Sequence, residues 1–173
     1  MSTHSSNDGP IYLGLGANLG APERTLAAAA EEISRIPCVD VLRRSSLYAS
    51  APVGPDQPEF RNAVLGVRST LVPAALLEAL LGIERAHGRL RRERWGPRTL
   101  DLDLLLWGER VVDVPGLRIP HPELHRRRFA LEPLAELDPA ARHPLLGKTV
   151  AELLSGVRDQ AVERLPSDVW SPR

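Results

Sequence analysis
The chain has 173 residues, 43% of them hydrophobic, and balances 22 Lys plus Arg against 22 Asp plus Glu, which suits a single cored domain and gives no general charge pull toward nucleic acid or membrane. A lone cysteine, Cys38, excludes an internal disulfide or a cysteine zinc cluster. No apolar run approaches the roughly 20 residues of a membrane span, and MSTHSSNDG lacks the basic start and apolar centre of a secretory signal. A cytoplasmic protein is therefore expected, with a mobile tail at 1–9 and one domain over 10–173.

Pro10 to Gly16 (PIYLGLG) predicts a first strand entering a glycine turn. Gly14, Gly16 and Gly20 give G-x-G-x-x-x-G, one residue too long for the dinucleotide fingerprint, so a strand-to-helix turn is expected, with Asn18 capping or pinning it. Pro22 opens a helix whose apolar positions Leu26, Ala29, Ala30, Ile33 and Ile36 keep helical spacing. Val39 to Tyr48 predicts a second strand. Ala49 to Glu59 holds three prolines and a glycine and predicts a loop, long enough to suggest function. Phe60 to Val67 predicts a third strand with Phe60, Asn62, Val64 and Gly66 on one face. Asn62, among apolar neighbours, is either a satisfied amide or a ligand-reading one.

Pro73 opens a second helix running through His87, with Leu76, Leu77, Leu80, Leu81 and Ile83 as its buried stripe and Gly88 as its stop. An arginine loop and another strand follow. The order strand, helix, strand, strand, helix, strand is the split βαβ unit, so the expected fold is α+β: a ferredoxin-like βαββαβ core, an antiparallel sheet with packed helices. Gly108 to Asp113 predicts a hairpin turn and short strand, Leu117 to Phe129 a proline-broken segment with a short helical piece, and Val150 to Leu154 a last helix starting at Thr149. Two motifs fail. His121 and His125 have helical zinc spacing but neither an H-E-x-x-H pattern nor a third ligand, and the run Gly147, Lys148, Thr149 has Arg142 where a P-loop needs glycine.

The chemistry concentrates in RWGPRTLDLD, Arg94 to Asp103. Asp101 and Asp103 alternate with leucines, so both carboxylates share one strand face about 6.6 Å apart and can converge on Mg²⁺. Arg89, Arg91, Arg92, Arg94 and Arg98 lie just upstream, fixed positive charge of the kind a moving polyphosphate needs. The plainer reading is a solvated strand face beside a wet or nucleic-acid-binding loop. Against it stands the run Leu104, Leu105, Leu106, Trp107, which marks a buried strand, where carboxylates need partners.

Four blocks, YLGLGANLG from Tyr12, GPDQPEFRNAV, RWGPRTLDLDLLLWG and FALEPLAELDP ending at Pro139, resemble the 6-hydroxymethyl-7,8-dihydropterin pyrophosphokinase family. The resemblance implies transfer of the β,γ-diphosphate of ATP to a pterin hydroxymethyl group in folate synthesis. It implies two Mg²⁺ ions on Asp101 and Asp103, with Arg89 and Arg98 engaging phosphates and pterin. Phe60 and Phe129 would sandwich the pterin, and Asn62 would read its edge with backbone groups near Ser50 and Val53. Arg91, Trp95, Leu104, His121 and Arg127 would surround ATP, with Glu84 near them. The arginine loop is one residue shorter than the resemblance predicts, which leaves the placement of Arg91 and Arg92 open, and Pro122 stands where tyrosine can contact the nucleotide. No general base stands out. Both long loops, 49–59 and 88–98, are expected to close over the substrates. The expected partners are these small molecules, with no nucleic acid, no membrane and a monomeric protein; the other classes considered are a non-catalytic pterin or nucleotide binder on this fold and a nucleic-acid module.

Overall fold
Proline fixes φ in the first turn of two helices, α1 (Pro22–Ser34) and α2 (Pro73–Ala86). The computed structural model describes residues 9–52, 54, 56–88 and 99–173; the expected tail at 1–9 lies, but for Gly9, outside them. The buried stripe of α1 is Leu26, Ala29, Ala30 and Ile33, and α2 buries Leu76 and Leu80. Both helices cover one face of a sheet built from β1 (Ile11–Ala17), β2 (Val39–Arg44), β3 (Leu47–Ser50), β4 (Phe60–Ser69), β5 (Asp101–Trp107) and β8 (Val162–Leu165).

The strand order is β5-β1-β4-β3-β8, with β2 also on β4, and the pairings are antiparallel. With β2 and β3 taken as one interrupted strand, the first four positions are those of the expected ferredoxin-like βαββαβ core. The opposite face is covered by α3 (Arg128–Leu137) and α4 (Val150–Ser155), which pack on Tyr12, Val64, Leu105 and Leu106. The tyrosines of β1 and β3 tie α3 to the sheet: Tyr12 donates to Asp138 at 2.7 Å and Tyr48 to Glu136 at 2.6 Å. The α4 helix starts at Thr149, as its sequence suggests, in a reciprocal capping box with Glu152. Beside β5, β6 (Val112–Val114) and β7 (Leu117–Ile119) form a ribbon whose Leu117 and Ile119 join the core beneath α1 and α2, and Leu124–Arg126 makes the short 3-10 turn expected in the proline-broken segment.

Two expectations are corrected. Val39 to Tyr48 is two strands, because Ser45 interrupts the ladder: its N–H donates to the Val64 carbonyl, and its hydroxyl, in place of a backbone oxygen, accepts the Val64 N–H, both at 2.9 Å. Ala49 and Ser50 accordingly belong to β3, and the loop begins two residues later. Phe129 opens on a full helix, α3, which continues through an internal proline, Pro133. The C-terminal stretch beyond α4 is also structural. The β8 strand covers the edge of β3, Arg44 and Arg173 exchange backbone hydrogen bonds of 2.9 Å, and Trp170, 2% exposed, donates its indole N–H to the Ser45 carbonyl at 2.8 Å beneath the Arg44 guanidinium.

Candidate active site
The register of β1 sets the site. Gly14 lies between Val64 and Asp103, and Gly16 between Asn62 and Asp101. Side chains alternate along a strand, so Asp101, Asp103, Asn62 and Val64 rise from one face around a glycine floor. A Cβ on Gly14 would come within 3.3 Å of the Leu105 methyls, and one on Gly16 within 3.4 Å of the Asn62 Oδ1. These glycines are in the strand itself, not in the turn expected from their spacing; glycine inside a strand is the signal of a close approach.

The floor opens into a cavity of about 670 Å³, whose walls carry Phe60, Asn62, Asp101, Asp103, Arg127 and Phe129. A second cavity of about 600 Å³, lined by Leu77, Leu102, Leu104, Leu117 and Arg118, shares Asp103 and His121 with the first. Asp103 therefore stands where an aromatic, amide-bearing chamber meets one of mixed aliphatic and charged lining, while Asp101 faces the first chamber.

A bulge explains why His121 joins them. Tyr12 pairs with Leu106 but Leu13 with Leu104, so Leu105 is the extra residue of β5 and its carbonyl accepts the His121 N–H at 3.0 Å. The imidazole Nε2 then lies 3.9 Å from Asp103 Oδ1. On the other side of the ring, Nδ1 accepts the Glu123 N–H at 3.1 Å, which places the ring proton on Nε2, toward Asp103. Burial, helped by the positive charge of Arg127, pushes the imidazole pKa down to about 4, so at neutral pH this side chain is an uncharged N–H donor.

Asn62 is buried and donates to Ser50 Oγ at 2.8 Å; Ser50 thus meets the site through its hydroxyl, where only backbone was anticipated. Arg127 sits with its guanidinium carbon 5.5 Å from the Phe129 ring centre. Asn18 pins more than its own turn, donating to Gln57 Oε1 and the Pro58 carbonyl, both at 2.9 Å, and so ties the proline loop to the end of β1. Glu84 lines neither cavity. It is 2% exposed and accepts the Leu102 N–H at 2.9 Å, holding the β5 backbone between the two aspartates. His125 lies edge-on to His143, with ring centres 6.3 Å apart.

The structure thus brings Ser50, Phe60, Asn62, Asp101, Asp103, His121, Arg127 and Phe129 to one cavity and Leu104 to its neighbour. Val53, Arg89, Arg91, Trp95 and Arg98 lie outside the described residues. The donor set suits Mg²⁺: two half-buried carboxylates on one face are the protein share this ion takes, leaving its octahedron to water and phosphate oxygens.

A family model described as 7,8-dihydro-6-hydroxymethylpterin-pyrophosphokinase (HPPK) matches residues 12–139. A Pseudomonas aeruginosa 2-amino-4-hydroxy-6-hydroxymethyldihydropteridine pyrophosphokinase is 45% identical over 157 residues, covering 90% of this chain and 96% of the relative. A Bacillus subtilis protein of the same name is 41% identical over 127 residues, covering 73% and 76%. Among solved structures, a Plasmodium falciparum HPPK-DHPS chain superimposes with a TM-score of 0.68 at 14% identity, over 85% of this chain. Our chain spans 43% of that longer one, and the likeness shows a common fold.

Proposed function
The chain belongs to the 7,8-dihydro-6-hydroxymethylpterin-pyrophosphokinase family, and on that premise we propose that it moves the diphosphate of ATP onto the hydroxymethyl group of 6-hydroxymethyl-7,8-dihydropterin in folate biosynthesis. The hydroxyl oxygen attacks the β-phosphorus, the bond from that phosphorus to the α,β-bridging oxygen breaks, AMP leaves, and the hydroxyl proton passes to solvent. One observation carries the reading: Asp101 and Asp103 stand beside glycines on one face of the first cavity, and Asp103 also lines the second.

In this reading the pterin occupies the first cavity. Phe60 and Phe129 offer stacking faces, and the Asn62 amide, held by Ser50, meets the donors and acceptors on the ring edge. The nucleotide base takes the second chamber beside Leu104, and its phosphates pass Asp103 toward the first. Asp101 and Asp103 would hold Mg²⁺, two ions in this proposal, which when bound offset phosphate charge and lower the pKa of the attacking hydroxyl. His121 donates Nε2–H to a phosphate oxygen. It is not the base, because its Nδ1 is occupied and its Nε2 carries the proton. Arg127 faces the phosphates from the first cavity. Arg89, Arg91, Arg98 and Trp95 are assigned to the phosphates and nucleotide on the resemblance alone; like most of the loop 88–98 expected to close over the substrates, they lie outside the described residues.

The same proposal takes residues 10–173 as one monomeric, cytoplasmic catalytic domain without a nucleic-acid partner. Among the described residues no helix is long and apolar enough to cross a membrane. The test is to incubate the protein with ATP, Mg²⁺ and the hydroxymethylpterin and to resolve the products. Pterin diphosphate with equimolar AMP is expected. ADP with a pterin monophosphate would contradict the site of attack, and binding of both substrates without AMP release would favour the non-catalytic alternative.

A further inference from the structure
Gln160, in the turn between α4 and β8, lines neither cavity, yet its side chain grips a segment that does. Its Nε2 donates to the Arg126 carbonyl at 2.7 Å and its Oε1 accepts the Arg128 N–H at 3.0 Å. One amide thus pairs with the backbone groups on both sides of Arg127, much as an adjoining strand would. Arg127 is the N-cap of α3, and an arginine side chain has no acceptor to satisfy the helix's first N–H groups; for Arg128 the Gln160 oxygen does so.

The grip is doubled by the Arg128 side chain. Its Nη1 donates to the carbonyls of Gln160 at 2.6 Å and Arg158 at 3.1 Å, while its Nε donates to Glu132 at 2.9 Å. Arg128 therefore points away from the cavity and anchors the turn, while its neighbours Arg127 and Phe129 line the cavity.

We propose that Gln160 is a positioning residue: by bracketing the Arg126–Arg128 backbone it holds the Arg127 guanidinium and the Phe129 ring in place before substrate arrives. The inference rests on the reading above, in which that cavity receives the pterin and the adjoining phosphates. It assigns a role in ligand binding to the C-terminal stretch, through a residue that touches no ligand. Preset groups lower the ordering cost of binding, so their loss raises KM before it lowers kcat.

The test compares wild type with Gln160→Ala and Gln160→Glu, measuring thermal midpoint, direct pterin binding by fluorescence, and kcat and KM for the pterin well below the midpoint. Gln160→Ala should raise the pterin KM and dissociation constant on the order of tenfold, a fraction of what a 1 Å misplacement of a reacting group can cost, with kcat changed less than about threefold. Gln160→Glu keeps the acceptor for Arg128 but loses the donor for Arg126 and should fall between the two. Unchanged pterin KM and binding in both variants, with or without a lower midpoint, would overturn the inference. If Gln160→Ala does not fold, Gln160→Glu decides by the same readouts. A wild-type protein that makes no pterin diphosphate sinks the functional reading instead, and Gln160 is then judged on pterin binding alone.

Discussion
At the scale of the residue, the site depends as much on absent side chains as on present ones. Gly16 keeps its space open beside Asn62 in ordinary extended backbone, without the positive φ found at Gly20. Valine is a better strand residue than glycine, so Gly16→Val should retain or raise the thermal midpoint while weakening pterin binding at least tenfold, as titration with the pterin would show; unaltered binding would mean the floor is not the pterin site. The histidines supply a pH signature. His121 is held down to about 4 and His143 is lowered too, mainly by burial, while its Nδ1 accepts the Leu145 and Leu146 N–H groups. A depressed imidazole pKa stabilises the fold fully above about 6.5 and ever less as pH falls toward the folded value. Urea unfolding should therefore show stability dropping between about pH 6.5 and 4, and His121→Asn should flatten that drop; an unchanged slope would contradict the assignment. In the sequence, Asp101 and Asp103 were legible as a shared face because alternation is a local property. The roles of Gly14 and Gly16 were not, because glycine spacing alone does not distinguish a turn from the floor of a pocket.

At the scale of the element, β5 carries both aspartates of the candidate site, and it lies at the end of the sheet among the described residues. Its inner edge is secured by β1; on its outer edge Glu84 takes the Leu102 N–H. Removing that acceptor leaves a buried donor unsatisfied, so Glu84→Ala should cost about 1–3 kcal/mol by chemical denaturation and also reduce turnover, while Glu84→Gln, which retains an oxygen, should recover most of both. A stable Glu84→Ala variant with full turnover would show that β5 needs no such support. The helices of the first layer could be read directly, since Pro22 and Pro73 mark their starts and the leucine spacing their faces. Others could not. Pro133 disguises α3, the Ser45 hydroxyl that splits β2 from β3 acts through a partner 19 residues away, and β8 is four residues, none of them buried, whose strand character comes from pairing with β3.

At the scale of the whole molecule, the C-terminus closes what the ferredoxin-like core leaves open. Its Trp170 fills the break between β2 and β3, and loss of a buried tryptophan typically costs about 3–5 kcal/mol. Trp170→Ala should therefore lower the thermal midpoint by several degrees or more, and a midpoint within a degree of wild type would deny that the stretch is structural. Long-range closure of this kind has no periodic signature, which is why it was not legible beforehand, whereas the order of the core strands was. The same scale holds the central claim, that diphosphate changes hands beside a pair of carboxylates, one of which is shared by two chambers. The most direct measurement is AMP release from ATP in the presence of Mg²⁺ and the hydroxymethylpterin, by wild type and by Asp101→Ala and Asp103→Ala, each shown to be folded. Wild type should turn over, and each aspartate variant should lose on the order of 10³-fold or more; near-normal AMP release by either variant would contradict the account.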